Sequence, residues 1–229
     1  RYVFHESGTL VSGIIGGLYS STATISVLAR KSRKASEQEA TDYVAAMLLA
    51  VSMMFLRFMI LILIFSREIF LSIYPYLLTM AVVAAIVAWF IHSRQKRPEG
   101  QSAETEEDDS SNPLEFKVAL IFAILFVIFT FLTHYTLVYA GTGGLNLLSF
   151  VSGFSDITPF ILNLLQNTGS VAALIITACS MQAIISNIMV NMFYALFFAG
   201  KGSKLRPWIL GGFGVVIACN LVLLLFFYI

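Results

Sequence analysis

Apolar segments of about twenty residues follow one another along the chain and constrain its fold more than any other feature. They lie at about 9–29, 43–66, 70–93, 116–139, 145–166, 171–199 and 207–229. A helical segment of this length crosses the hydrocarbon core of a bilayer. Only 12% of the residues are charged, against about 25% in a soluble domain. The sequence therefore predicts an all-α, polytopic membrane helical bundle, with the lipid bilayer as its first partner.

One polar stretch interrupts the apolar segments. Residues 94–115 read RQKRPEGQSAETEEDDSSNPLE, and a stretch so rich in Glu, Asp, Ser and Pro cannot bury a core. We interpret it as a solvated cytoplasmic linker, with an acidic cation-sensing loop as the alternative. The predicted organisation is a first membrane repeat at 1–93, the polar linker at 94–115, a linking transmembrane helix at 116–140 and a second membrane repeat at 141–229.

The two predicted repeats begin alike, each with a segment that carries Gly, Ser and Thr. The first opening segment is TLVSGIIGGLYSSTATISVLAR and the second is LNLLSFVSGFSDITPFILNLLQ. One alignment pairs Gly17 with Gly153, Ser20 with Asp156, Thr22 with Thr158, Ile25 with Ile161 and Leu28 with Leu164. A rival alignment pairs the two VSG triplets at 11–13 and 151–153. The order of elements, more than these letters, indicates an internal repeat.

The positions of Lys and Arg favour opening segments that enter and leave on the same side. If all seven segments cross, five of these residues fall outside and eight inside. If both opening segments are re-entrant, twelve lie inside, Arg67 lies outside and Arg57 lies within the membrane. The second distribution fits the enrichment of Lys and Arg in cytoplasmic loops. It predicts two inverted three-element repeats, with re-entrant or broken helices and one linking helix.

Each opening segment is long enough for two half-helices of about ten residues with a break between them. The breaks are expected where Gly is followed by polar residues, at Gly16-Gly17 and then Ser20-Ser21, and at Gly153 and then Ser155-Asp156. Ser and Asp are good helix N-caps. Non-helical backbone at membrane depth persists only where protein or a wet cavity surrounds it.

Charged and polar side chains inside the apolar segments are the candidates for a site. Arg57 lies within MMFLRFMILIL, where a charge costs about 2.5–3.5 kcal/mol on insertion scales. Its alternative role is structural, pairing with Asp156 or with carbonyls of a broken helix. Asp156, in turn, is either a helix N-cap or an ion site at the break. Polar residues on SMQAIISNIMVN are either a site or interhelical hydrogen-bonding groups.

The complete set of candidate ion- or substrate-binding residues follows from these segments. Half-helix N-termini favour an anion, whereas unwound carbonyls and Asp156 favour a cation, and the sequence leaves both open. No residue pattern predicts a cofactor or identifies a metal. The candidates are Ser20, Ser21, Thr22, Thr24, Arg57, Asp156, Thr158, Gln182 and Asn187.

The segment GGLYSSTATISVLARKS, with RYVFHESG before it and SGFSDITPF in the second half, resembles a known pattern. It is similar to the C-terminal membrane domain of MgtC/SapB-like proteins, a domain of unknown function that follows an MgtC-type region. The resemblance covers essentially the whole chain. It implies a bacterial inner (cytoplasmic) membrane, a link to magnesium homeostasis and an N-terminal MgtC-type region as a partner. The chain is accordingly expected to be the C-terminal part of a longer protein.

Two functions are consistent with these features. The first is a small-ion or small-solute transporter or channel module, in which both opening segments meet near the membrane midplane. The second is a non-transporting membrane module that binds and regulates another membrane protein. No GxSxG, HExxH or Walker motif is present, so we expect no enzyme activity. The net charge of +1 gives no reason to expect nucleic acid as a partner, whereas a second copy of the chain is a candidate.

Overall fold

The computed structural model describes residues 8–33, 35, 37–94, 114–166, 171–200 and 205–228. These residues form helices and short connections, with no β-strand among them. The predicted polar linker at 94–115 lies almost entirely outside this set. The helices are α1 (Gly8–Lys31), α2 (Glu37–Phe65), α3 (Arg67–Ser93), α4 (Leu114–Ser152), α5 (Ile157–Gln166), α6 (Ala173–Ala199) and α7 (Arg206–Tyr228).

The helices are apolar on the outside as well as the inside. Large side chains such as Ile64, Phe193 and Phe226 are exposed, while Phe55 and Phe213 are fully buried. A surface of this kind is unsuited to water and is typical of helices surrounded by lipid. By length and composition, five helices could cross a bilayer: Gly8–Lys31, Thr41–Phe65, Arg67–Ser93, Ala173–Ala199 and Arg206–Phe226. The prediction of an all-α, multi-pass membrane protein is confirmed at this level.

The chain divides into two compact units. The first comprises Arg1–Leu61, Ile73–Ala103 and Ile188–Ile229, and the second comprises Ile62–Ser72 and Glu104–Asn187. The C-terminal part of α6 and all of α7 thus belong with α1 and with most of α2 and α3.

In the first unit, polar contacts define the directions of the long helices. The Ser52 hydroxyl on α2 donates to the Ala81 carbonyl on α3 at 2.8 Å. Nearer the start of α2, the Asp42 carboxylate pairs with the His92 ring at 2.7 Å. Residue numbers that rise on one helix as they fall on the other show that α2 and α3 are antiparallel. The Tyr76 hydroxyl on α3 also binds the Asn220 side chain of α7.

Helix α1 is broken at Ser20, whose backbone is extended (φ −155°, ψ 108°). A Cβ atom at Gly16 would lie 2.5 Å from Oγ1 of Thr24. In a straight helix, residues eight apart are separated by about 12 Å along the axis. The chain therefore turns back at Ser20, and α1 is a hairpin of two half-helices, residues 8–19 and 21–31. We call it the first hairpin; its break lies where the sequence predicts one.

The first half of this hairpin packs closely on α2 and runs parallel to it. Gly13 lies against Ala46, and a Cβ atom at Gly17 would lie 2.5 Å from the Cα of Ala50. Residue numbers rise together on both helices, whereas a single rod followed by a short loop would run antiparallel to α2. Each half-helix spans only about 17 Å, too short to cross a bilayer of about 30 Å. The length of α1 alone is therefore misleading about its course.

The second opening segment has the same design in the second unit. Helix α4 is broken at Gly141 (φ 58°), where the linking helix was predicted to end. A Cβ atom at Gly144 would lie 2.6 Å from Cγ2 of Thr136, so the chain turns back here as well. A second break at residues 153–156 separates the half-helices 143–152 and α5. We call residues 143–166 the second hairpin, and its inner break also lies where the sequence predicts one.

Both hairpins pack on the next long helix through an equivalent contact. Gly17 meets Ala50 on α2, and Gly153 meets Ser186 on α6. The alignment that pairs Gly17 with Gly153 also pairs Ala50 with Ser186. The rival alignment of the VSG triplets does not pair these two residues. The structure therefore supports the internal alignment that pairs Ser20 with Asp156.

Candidate functional site

The break of the first hairpin is capped by Ser20. Its hydroxyl accepts a hydrogen bond from the Ala23 amide at 3.3 Å, the contact expected of an N-cap residue. The Ser20 carbonyl accepts a hydrogen bond from the Thr24 hydroxyl at 2.8 Å. Two of the predicted site residues thus stabilise the start of the second half-helix.

Arg57 reaches the same break from α2. Its Nη1 donates to the Tyr19 carbonyl at 2.7 Å, and its guanidinium lies 5.2 Å from the ring centre of Phe58. Tyr19 is the last residue of the first half-helix, and the break frees carbonyls at such an end. Of the structural alternatives predicted for Arg57, the structure shows the contact with a carbonyl of a broken helix.

Ser21 and Thr22 begin the second half-helix of the first hairpin. Ser21 is buried with 3% of its surface exposed, and its hydroxyl forms no hydrogen bond within the part of the chain that the structure describes. Thr22 is half-buried, and its carbonyl accepts a hydrogen bond from the Ser26 hydroxyl at 2.8 Å. The predicted cluster of Ser and Thr hydroxyls at the break is therefore present, and Ser21 is the most buried residue of this cluster.

The break of the second hairpin is capped by Asp156. Its Oδ1 accepts a hydrogen bond from the Thr158 amide at 2.9 Å, and the Asp156 side chain is otherwise exposed. Asp156 thus makes the contact of a helix N-cap, one of the two roles predicted for it. A carboxylate at this position is favoured by the positive end of the helix dipole.

Polar side chains of α6 bind the free carbonyls at the second break. The Asn187 amide donates to the carbonyls of Gly153 at 3.2 Å and Ser155 at 3.4 Å. The Ser186 hydroxyl donates to the Phe150 carbonyl at 2.6 Å. Gln182, one turn earlier on α6, is half-buried and makes no hydrogen bond with the described residues. Asn187 on α6 thus has the role that Arg57 has on α2.

The predicted site residues form two sets. At the first break lie Ser20, Thr24 and Arg57, and at the second lie Asp156, Thr158 and Asn187. Each set combines a capped half-helix N-terminus with carbonyls that accept hydrogen bonds from a neighbouring helix. Such a break can bind an anion through amides and hydroxyls, or a cation through carbonyls and carboxylate.

Sequence reasoning missed several participants. The carbonyls of Tyr19, Gly153 and Ser155 belong to the backbone, so the amino-acid sequence does not show that they are free to accept hydrogen bonds from side chains. It also missed three buried hydroxyls of the second unit, on Thr133, Thr177 and Ser180, which lack hydrogen-bond partners among the described residues. The part of the chain that the structure describes contains no group of three or more His, Cys, Asp or Glu residues that could hold a metal ion.

Fold and site together define a class: an all-helical membrane protein with two hairpins of broken helices, each packed on a long apolar helix. Residues 1–199 match a family described as a domain of unknown function, DUF4010. The chain belongs to this family. It is also similar to an uncharacterized protein of Aquifex aeolicus (strain VF5), with 25% identity over 227 residues and 96% of each chain covered. No solved structure matches the chain.

Proposed function

We propose that this protein is a transporter or channel module for a small ion or small solute, with the two helix breaks as binding positions. One observation carries the proposal: both hairpins contain a helix break of the same kind. At each break the second half-helix has a capped N-terminus, and a polar side chain of the next long helix donates hydrogen bonds to the free carbonyls. Discontinuous helices whose ends point at a substrate are a recurring design of secondary transporters. The proposal includes no catalytic step.

We further propose that the two repeats have inverted topology. In the first unit, Arg33 follows the first hairpin and donates to the carbonyls of Phe197 and Phe198 at the end of α6. The C-terminal end of α6 therefore lies beside the residues that precede α2. In the first hairpin, the contacts of Gly13 and Gly17 show that the first half-helix runs parallel to α2. In the second hairpin, Asn146 lies beside Cys179 and Phe150 beside Ser186, so its first half-helix runs parallel to α6. The distribution of Lys and Arg along the sequence supports opposite directions for the two repeats.

Ion flux into liposomes that contain the purified protein tests the proposal. Gradients of Na⁺, K⁺, Mg²⁺, H⁺ and Cl⁻ should reveal movement of at least one ion above protein-free liposomes. Arg57→Gln and Asp156→Asn should each lower that flux by about tenfold or more, because each removes a full charge from a break. Glu68→Gln and Lys31→Gln, both at exposed positions, are controls that should keep it. Absence of flux for every ion, or equal flux in all variants, would contradict transport.

A regulatory membrane module is the second candidate, and the resemblance of GGLYSSTATISVLARKS to MgtC/SapB-like proteins supports it. In this role the chain would act in a bacterial cytoplasmic membrane, bind a second membrane protein and influence magnesium handling. Mild-detergent purification should then recover a partner in fixed stoichiometry, and Arg57→Gln should leave that complex intact. Recovery of the chain alone, with flux present, would favour transport.

A further inference from the structure

The first hairpin and α6 end beside each other and form a basic surface that the proposed function does not use. Arg33 donates from Nε to the Phe198 carbonyl and, at 3.3 Å, from Nη2 to the Phe197 carbonyl. The Arg30 guanidinium lies 4.3 Å from the centre of the Phe198 ring. Two guanidiniums are therefore held against the last turn of α6.

Both guanidiniums keep hydrogen-bond donors for a ligand. A guanidinium has more N–H donors than the two that Arg33 uses on α6. Arg30 contacts the Phe198 ring and makes no hydrogen bond with the described residues. Neither side chain pairs with a carboxylate within that part of the chain, and both residues are exposed. A ligand can therefore reach them from outside the helices.

The local charge fits a ligand with a single negative charge. Arg30 and Arg33 contribute two positive charges at this place. The half-helix of residues 21–31 and helix α6 both end here, and each helix C-terminus carries about half a negative charge. About one positive charge therefore remains, and a phosphodiester, which carries one negative charge, neutralises it.

The basic surface continues into an apolar one. Phe193 and Phe197 lie one turn apart on α6, are 61% and 63% exposed, and stack with their ring centres 6.2 Å apart. Helix α6 ends at Ala199, and a spanning helix ends where the hydrocarbon meets the lipid headgroups. A free phosphate would leave these rings uncovered. A phospholipid offers a phosphate to the arginines and an acyl chain to the rings.

We propose that Arg30 and Arg33, held at the end of α6, bind the phosphodiester of an anionic phospholipid whose acyl chain lies along Phe193 and Phe197. Arginine recognises phosphate through parallel hydrogen bonds, and here the contacts with Phe198 fix both side chains before the lipid binds. The lipid thereby links the tail of the first hairpin to α6. This surface lies outside both helix breaks, and the inference does not depend on the proposed transport.

Native mass spectrometry of the purified full chain in detergent tests the proposal. The probes are phosphatidylglycerol and phosphatidylcholine with identical acyl chains, which differ in headgroup charge. One phosphatidylglycerol should stay bound to each chain, with an affinity about tenfold or more above that for phosphatidylcholine. Glycerophosphoglycerol, which is the same headgroup without acyl chains, should not bind at the same concentration.

Two arginine variants and a matched control locate the site. Arg30→Gln and Arg33→Gln should each weaken phosphatidylglycerol binding about tenfold, the loss expected when hydrogen bonds to a charged group are removed. Arg30→Gln keeps the carbonyl contacts of Arg33, so it tests the proposal even if Arg33→Gln disturbs the helix end. Lys31→Gln removes the same charge from an exposed position. Successive residues of a helix point about 100° apart, so Lys31 is directed away from Arg30, and its loss should weaken binding about twofold or less because salt screens exposed charges.

Three results would overturn the proposal. Equal affinity for both lipids would mean that the acyl chains alone bind. Binding of glycerophosphoglycerol as strong as that of phosphatidylglycerol would identify a site for a free phosphodiester. An equal loss in Lys31→Gln and in the arginine variants would indicate diffuse attraction to a charged surface instead of a defined site.

Discussion

Small residues allow the first hairpin to approach α2 closely. Gly13 and Gly17 lie one turn apart and face Ala46 and Ala50, a small-xxx-small arrangement on both helices. In a bilayer, close packing of this kind replaces the hydrophobic effect as a force between helices. The sequence shows the glycines, but only the contact with α2 explains why a larger residue would be excluded.

Gly17→Ala should destabilise the protein, because the new Cβ atom would lie 2.5 Å from the backbone of Ala50. The expected cost is about 1–3 kcal/mol, as for other overpacked sites, measured by unfolding in mixed detergent micelles. Gly214→Ala on α7 is the control, since no atom lies within 4 Å of its Cβ position. Equal stability of the two variants would refute the close approach.

A second residue-scale prediction concerns Asn187, whose amide binds two carbonyls at the second break. Asn187→Leu should lower the free energy of unfolding by about 1–3 kcal/mol, because the buried Gly153 carbonyl and the Ser155 carbonyl lose this donor. Met189→Leu, at an exposed position of the same helix, should have little effect. If Asn187→Leu is as stable as the wild type, the carbonyls have another donor.

At the scale of elements, the hairpins show how far sequence patterns reach. Helix length and apolar composition identify α1 as a candidate span, yet its two halves turn back on each other. The positions of Lys and Arg favour a segment that turns back, which the length and composition of α1 do not indicate. The break at Ser20 was predictable from Gly and Ser, whereas the hydrogen bond that Arg57 donates there comes from a distant part of the chain and required the fold.

The tail of the first hairpin is tied to the end of α6 by Arg33, which donates to the carbonyls of Phe197 and Phe198. Nearby, the Arg30 guanidinium lies 4.3 Å from the centre of the Phe198 ring. Arg33→Gln should increase amide hydrogen exchange at the end of α6, because the last carbonyls of a helix lose their partner. Lys31→Gln, at an exposed neighbouring position, should leave exchange unchanged. Unaltered exchange in both variants would mean that Arg33 does not hold this helix end.

At the scale of the whole molecule, one consequence of the hairpin concerns topology. Gly200, just after α6, lies beside Arg33, with its Cβ position 3.5 Å from Nε. Since the chain reaches Arg33 at the end of the first hairpin, the ends of α1 and α6 lie next to each other in the first unit. The proposed re-entrant opening segments place both ends on the same side of the membrane, whereas seven full crossings place them on opposite sides.

Thiol labelling in intact membranes can check this topology. In a variant without Cys179 and Cys219, cysteines at Lys31 and Pro207 should react from the same side, and a cysteine at Glu68 from the other. Lys31 and Glu68 flank α2, so they provide the internal reference. Reaction of the Lys31 and Pro207 positions from opposite sides would contradict the hairpin topology.

The sequence by itself determined that this protein lies in a lipid environment, that it is helical, and where two of its helices break. These properties depend on local composition: runs of apolar residues demand lipid, and Gly followed by Ser or Asp ends one helix and caps the next. Only the tertiary structure decided that the chain reverses at Ser20, that Arg57 and Asn187 hold the broken ends, and that one contact recurs in both halves. The last two features are contacts between residues that lie far apart in the chain. Such contacts depend on how the helices pack against each other, and a local sequence pattern does not contain that information.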